Sequence, residues 1–307
     1  MATATKKNEL LSSTGLIPVA FAVEAAIGLF IFLASDKGGV GKTFFFRYLV
    51  ETLRKRKPGK VAAFDGDNGT GSGVRILGMR DANGELLPPD QQTAVDGVVT
   101  YNMRKSRTRE EFINSISTSL PFIIHDQPGG AFDAMTEIAD GGGESLTGIL
   151  NAVADEKYQP IAIHAVHHED ESTESVARYL DATEGSPTVH IAVLNERDAE
   201  SLSDFEMWFG YKDETTGEQI GGRTRDRLLA TGGFEIVMPR LAGAASSRIK
   251  RYNLTFEQAC TDKRLTLAQR IQVKNWFQTM NRNLTDTNAK TNPYHESASK
   301  FVALFGL

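Results

Sequence analysis

Cysteine is scarce in this chain: among 307 residues there is one, Cys260. A lone thiol excludes an intrachain disulfide framework and every Cys-x-x-Cys pairing for zinc or an iron–sulfur cluster. With 40% hydrophobic and 24% charged residues, the composition also excludes disorder and a collagen-like repeat. Long apolar runs are few. Residues 15–34 would be long enough to cross a bilayer, but Pro18 and Glu24 interrupt them and no basic leader with a cleavage site fits. Their last eight residues read instead as a buried strand, and the lack of a targeting signal points to the cytoplasm. The length admits one large α/β domain with appendages or two small domains.

Charge is unevenly spread. From Arg240 onward there are 11 Lys/Arg against four acids; with −5 overall, that leaves about −12 on residues 1–239. A basic tail on an acidic body suggests a polyanion-binding surface confined to one end.

The informative stretch is Ser35-Asp36-Lys37-Gly38-Gly39-Val40-Gly41-Lys42-Thr43, directly after the apolar run 27–34. A buried strand that ends in a glycine-rich turn and opens a helix presents backbone N–H groups and the positive end of a helix dipole to an anion. Gly38, Gly39, Val40 and Gly41 form such a cradle. Lys42 can reach the β/γ-phosphates, and the Thr43 hydroxyl can ligate Mg²⁺. The strict pattern G-x-x-x-x-G-K-[ST] wants glycine where this chain has Asp36. Two further strand ends carry acids. Val61-Ala62-Ala63-Phe64 leads to Asp65-Gly66-Asp67, whose carboxylates at i and i+2 share a face near the expected phosphates, although an Asp/Asn/Gly turn explains them as well. The strand 120–126 ends at Asp126-Gln127-Pro128-Gly129-Gly130.

Lys37-Gly-Gly-Val-Gly-Lys42-Thr43, with its extra lysine five residues ahead of Lys42, resembles the deviant Walker A motif of the ParA/MinD family of P-loop ATPases. The resemblance implies that Lys37 crosses a nucleotide-bound dimer to the partner's phosphates. Asp65 and Asp67 resemble that family's Walker A′ segment, which implies that Asp67 positions the attacking water and Asp65 supports the Mg²⁺ shell. Asp126 matches the Walker B end and would hold Mg²⁺ through water, while Pro128-Gly129-Gly130 would sense the γ-phosphate. Asn195, at the end of the strand 189–194, would contact the adenine. Met238-Pro239-Arg240 is similar to the segment that lines the adenine pocket. Asn195-Glu196-Arg197-Asp198 also approximates the guanine-reading motif of GTPases, but Glu196 stands where that motif has lysine, so ATP is preferred over GTP.

Other stretches carry less chemistry. Helices are expected over 43–53, 108–117 (Thr108-Arg109-Glu110-Glu111 has capping-box form), 144–154 and 172–180, and strands over 160–166 and 234–240. Residues 71–106 read as switch-like loops around short helices. His164, His167 and His168, beside Glu169 and Asp170, suggest a metal; a structural or substrate-side role outweighs it, since His164 lies on the strand and the others in the loop beyond. In residues 199–232, Phe205, Trp208, Phe209 and Tyr211 fit a lid, a partner surface or, preferably, core anchors. Toward the end, Leu265, Ala268, Ile271, Val273, Trp276, Phe277 and Met280 give an apolar helix face with Arg264, Arg270, Lys274 and Arg282 outward. Nonspecific DNA binding through phosphates and a merely solvated basic helix both remain open there. The apolar stretch 299–307 resembles a MinD-type membrane tail, but one lysine supports lipid binding poorly, so docking on its own domain or a dimer partner is favoured.

The expected fold is α/β: a doubly wound, mostly parallel sheet flanked by helices, with a C-terminal helical extension. The domains are a lead-in at 1–26, a P-loop ATPase domain at 27–245 and a basic helical extension at 246–307. The expected function is a cytoplasmic, Mg²⁺-dependent ATPase that forms a homodimer with ATP. It would couple slow hydrolysis to binding of nonspecific DNA and a protein activator or adaptor in plasmid or chromosome partition, plasmid transfer or cargo positioning. The alternatives are a membrane-recruited regulator of MinD type and an ATP-dependent ligase of dethiobiotin synthetase type.

Overall fold

The computed structural model describes residues 25–69, 71–138 and 146–307. Its centre is a seven-stranded parallel sheet in the order β3-β2-β4-β1-β5-β6-β9. The strands are β1 (Gly28–Ala34), β2 (Val61–Asp65), β3 (Val99–Thr100), β4 (Phe122–Asp126), β5 (Tyr158–Val166), β6 (Val189–Asn195) and β9 (Phe234–Met238). A small antiparallel hairpin, β7 (Tyr211–Lys212) and β8 (Gln219–Ile220), stands apart.

β1 is central because it is apolar on both faces. Leu29, Ile31 and Leu33 pack into one core layer, while Phe30, Phe32 and Ala34 pack into the other, as the two-residue side-chain period requires. The first layer holds α1 (Lys42–Arg56), through Phe45, Leu49 and Leu53, and the helices that follow β9. The second holds Phe112, α3 (Leu146–Asp155) through Leu150, and Tyr179 of α4 (Asp170–Ala182). Between these, α2 (Ser72–Leu77) follows β2. After β1 the chain builds β2, β3 and β4 on one side and then crosses to place β5 on the other. The carboxyl end of β1 therefore lies where the winding direction reverses, the usual position of a ligand crevice in an open α/β sheet.

In residues 199–232 the aromatics anchor the core. Phe205 and Trp208 are buried, and Trp208 Nε1 donates to Glu235 Oε1 at 2.6 Å. The same carboxylate takes a two-pronged contact from Arg225 of α5 (Arg223–Ala230), at 2.8 and 3.0 Å. Tyr211 is instead exposed on the hairpin.

The later helices are α6 (Gly243–Arg251), α7 (Phe256–Ala259), α8 (Leu267–Thr285) and α9 (His295–Phe305). They share one apolar core with the sheet. Trp276 Nε1 donates to Pro239 O at 2.7 Å and Asn283 Nδ2 to Val237 O at 2.9 Å, which ties α8 to the exit of β9. Phe301, Leu304 and Phe305 of the apolar stretch 299–307 are buried, with Phe305 stacked on Phe122 of β4, so that stretch docks on its own sheet.

Three local expectations need correction. The helix expected from Thr108 is broken into Ser106–Arg109, Glu111–Asn114 and the 3₁₀ turn Ser115–Thr118. Thr108 Oγ1 donates to Asn102 O at 2.9 Å, so the hydroxyl is bound to a preceding carbonyl and caps no helix. On α8, Val273, Trp276 and Met280 are buried, whereas Ile271 is 49% exposed and Ala268 also faces out. The buried stripe on α8 begins at Val273, two residues beyond Ile271. The last strand stops at Met238, leaving Pro239 and Arg240 in the turn that follows. Part of the helix expected at 144–154, and residues 1–24 of the lead-in, lie outside the described residues. No helix among the described residues is long and apolar enough to cross a membrane.

Candidate functional site

The turn between β1 and α1 takes its shape from two glycines with positive φ, Gly39 at 81° and Gly41 at 109°. At Gly41 space is restricted too: a Cβ there would lie 2.5 Å from Asn195 Nδ2. Asn195 is buried at the end of β6, and its amide donates to Val40 O at 2.8 Å. Its side chain thus fastens the top of the loop to β6, the second strand over from β1. Asp36, the residue that departs from the strict motif, is held from α4. Its N–H donates to Ser175 Oγ at 2.9 Å, and Arg178 Nη1 contacts its carboxylate at 3.1 Å. Gly130 N donates to Asp36 O at 2.9 Å, which joins the loop after β4 to the same turn.

Lys42 is buried. Its ammonium donates to Ser35 O and Lys37 O, both at 2.9 Å, so among the described residues it lies under the loop with carbonyls and no carboxylate in contact. Burial lowers its pKa, partly offset by Asp126, Asp36 and Asp67. Opposite it, β2 and β4 run in register, with Asp65 paired to Asp126. Both side chains are buried, and Asp65 Oδ2 and Asp126 Oδ1 have no hydrogen-bond partner among the described residues. Burial raises both pKa values; the charge of Asp65 raises that of Asp126 further, and Asp67 raises both. The Thr43 side chain acts the other way on Asp126, lowering its pKa, and the Asp67 N–H donates to Asp65 Oδ1 at 2.9 Å.

These groups line a cavity of about 360 Å³. On its walls the structure brings together the expected Gly38, Gly39, Gly41, Lys42, Thr43, Asp65, Asp67, Asp126, Asn195 and Pro239. Lys37, Val40 and Arg240 are not among its lining residues. Lys37 points to the other side of the loop, where Glu169 contacts its ammonium and Glu171 Oε2 lies at 3.0 Å.

The donor set fits a hard divalent cation. Two buried carboxylate oxygens without partners, beside a hydroxyl, are what an oxygen-ligated Mg²⁺ needs, and such a charge would relieve the repulsion between the acids. Asp65, Asp126 and Thr43 would hold it, directly or through water. When bound it would supply positive charge to a phosphate oxygen.

Several site residues were not singled out by sequence. Arg104, from a loop with no periodicity, reaches Asp67 Oδ1 at 3.2 Å and Gly129 O at 2.6 Å and bridges the two acidic strand ends. Arg197 Nη1 donates to Gly39 O at 2.7 Å. Phe44, Arg47 and Lys250 line the end of the cavity nearest α6. Arg47 is buried against the rings of Phe44 and Phe256. The one available signal was that α1 carries an arginine inside an otherwise apolar run.

No protein-family model matches the chain, and no curated protein does. Among solved structures, the chain is similar to one described as "Crystal structure of FlhF complexed with GTP/Mg(2+)", at 11% identity and a TM-score of 0.37, over 76% of this chain and 73% of that one. So loose a likeness carries no argument. The assignment rests on the chain's own central parallel strand, glycine turn, buried lysine and paired acidic strand ends. The fold is a doubly wound parallel sheet with a glycine turn of P-loop form where its winding reverses. Lys42 and the glycine turn line the cavity together with Asp65 and Asp126.

Proposed function

We propose that this chain is a Mg²⁺-dependent nucleoside triphosphatase, with ATP as its substrate, that works as a dimer in the manner of ParA-like positioning ATPases. One observation carries the nucleotide reading: the buried Lys42 ammonium is held by two carbonyl oxygens, in one cavity with two carboxylate oxygens that lack partners among the described residues. An ammonium in that setting is stabilised by an incoming phosphate, and the acids by an incoming cation. A triphosphate with Mg²⁺ supplies both together. Asp67, on the cavity wall and held by Arg104, is the residue that would orient the attacking water.

The dimer reading is supported by the position of Lys37. It does not line its own cavity and is partly exposed, so any phosphate it meets belongs to a second copy. Partner exchange, DNA binding through the basic C-terminal helices and cargo positioning follow from the resemblance. On α8 the expected cations Lys274 and Arg282 are exposed, which suits phosphate contacts.

Titration with fluorescent ATP and GTP analogues, with and without Mg²⁺, tests the site. Tighter binding of ATP that needs Mg²⁺ is expected; tight GTP binding without ATP binding would overturn the choice of base. Gel filtration of Asp67→Ala with ATP, followed by a DNA-shift assay across a salt series, tests the rest. A nucleotide-dependent dimer that binds DNA less tightly as salt rises is expected. A monomer under all conditions rejects the ParA-like reading and leaves the nucleotide site standing.

A further inference from the structure

A second cleft, of about 320 Å³, lies against Lys37, Gly38, Gly39 and Val40 and is closed by His167, His168, Glu169, Arg197 and Asp198. None of its acids or imidazoles has a part in the nucleotide chemistry. β5 ends at Val166 and α4 starts at Asp170, so the three residues between them turn sharply. That turn brings one ligand atom from each of His167, His168 and Glu169 within 4.8 Å of one another.

The hydrogen bonds suit these atoms to a metal. His167 Nε2 lies 3.0 Å from Asp198 Oδ2. A carboxylate against one ring nitrogen fixes the proton there and leaves the lone pair on Nδ1, the arrangement that orients metal-bound histidines. Nδ1 lies 3.8 Å from Glu169 Oε2. Two ligands about 2.1 Å from one tetrahedral ion stand about 3.4 Å apart, so a small side-chain rotation closes the gap. His168 Nδ1 is buried without a partner, and its ring centroid is 4.1 Å from that of His167. Glu169 Oε2 already holds a cation, the Lys37 ammonium.

We propose that His167, His168 and Glu169 form a binding site for a Zn²⁺-class transition-metal ion, with Asp198 as the orienting carboxylate, and that the ion and Lys37 compete for Glu169. Two imidazoles and one carboxylate favour Zn²⁺, Co²⁺ or Ni²⁺ over Mg²⁺ or Ca²⁺. His164 and His190 are bonded to each other in the core, and His125 is enclosed by Tyr101 and Ser115. These three are closed to solvent ions. A bound ion leaves Lys37 with Glu171 alone and so frees the lysine at the surface of the loop.

The proposal is independent of the nucleotide reading, and its test contains no nucleotide. Untagged full-length protein is titrated with Zn²⁺ by calorimetry and with Co²⁺ by visible absorption. One equivalent is expected to bind in the micromolar range, with the intense d–d bands of a four-coordinate Co²⁺ site. His167→Ala and His168→Ala should each weaken binding at least tenfold, and Asp198→Asn about tenfold. Lys37→Ala should tighten it severalfold, a gain that misfolding cannot mimic. Millimolar binding, or binding that survives the double substitution His167→Ala/His168→Ala, overturns the site. An unchanged affinity in Lys37→Ala overturns the competition.

Discussion

Lys42 and Lys37 stand five residues apart in one glycine-rich turn, yet one is buried against two carbonyl oxygens and the other lies at the surface against two glutamates. Carbonyl dipoles satisfy the hydrogen-bonding of an ammonium without cancelling its charge; carboxylates do both. The inner face of the loop is therefore left with unbalanced charge on both walls, Lys42 on one and Asp65 with Asp126 on the other. The outer face is already neutralised by the chain itself. An anion gains at the first and must displace a glutamate at the second. The two lysines differ less in reach than in what already surrounds them.

The comparison can be broken most sharply at Lys42. Lys42→Ala should lower nucleoside triphosphate affinity at least about 100-fold, on the order of 3 kcal/mol, as read by fluorescence titration. An equal loss from Lys37→Ala in the monomer would erase the distinction. Asp126→Asn should abolish the Mg²⁺ dependence of binding while stabilising the ligand-free chain by on the order of 1–3 kcal/mol in denaturant melts. The sign follows from the raised pKa values of Asp65 and Asp126. Folding favours their protonated forms, so stability is lost as pH rises above the ordinary carboxylate range. Saturating Mg²⁺ should flatten that loss, and Asp126→Asn should remove much of it. If the ligand-free protein gains stability over the same pH range, the unbalanced-acid description fails.

Smaller effects sharpen the picture. Asn195→Ala removes the donor to Val40 O, and about 1 kcal/mol of stability with roughly fivefold of nucleotide affinity should go with it. A much larger loss of affinity with unchanged stability would mean that the amide contacts the base. Lys37→Ala should leave monomeric nucleotide affinity within about twofold, since an exposed pair contributes little.

What the sequence revealed was governed by local chemistry. The buried strand, the glycine turn and the strand-end acids were legible because each needs a particular residue type within a few positions, and β1, β2, β4, β5, β6 and β9 lie where the apolar runs stand. Contacts made across the fold were not legible. Arg104 sits among loop residues without period, and nothing near it in the chain indicates that it meets Asp67 and Gly129. His167 and His168 invited comparison with a metal site, but Asp198, which sets the proton on His167, is 31 residues away in the 3₁₀ turn after β6. Thr108 misled because a capping pattern says nothing of a nearer acceptor, here Asn102 O.

The position of β1 also bears on how the protein is made. Phe30 pairs with Ile123 on one side and Pro160 on the other, so the strand that carries the phosphate turn has no neighbour close to it in sequence. Such distant pairings pay a large loop-closure cost before any contact rewards it, and they slow folding. During synthesis the turn leaves the ribosome before either neighbour of β1 and has no rigid base until β5 has followed. Nucleotide cannot assist the first steps of folding, and its stabilising effect acts only on a nearly completed sheet.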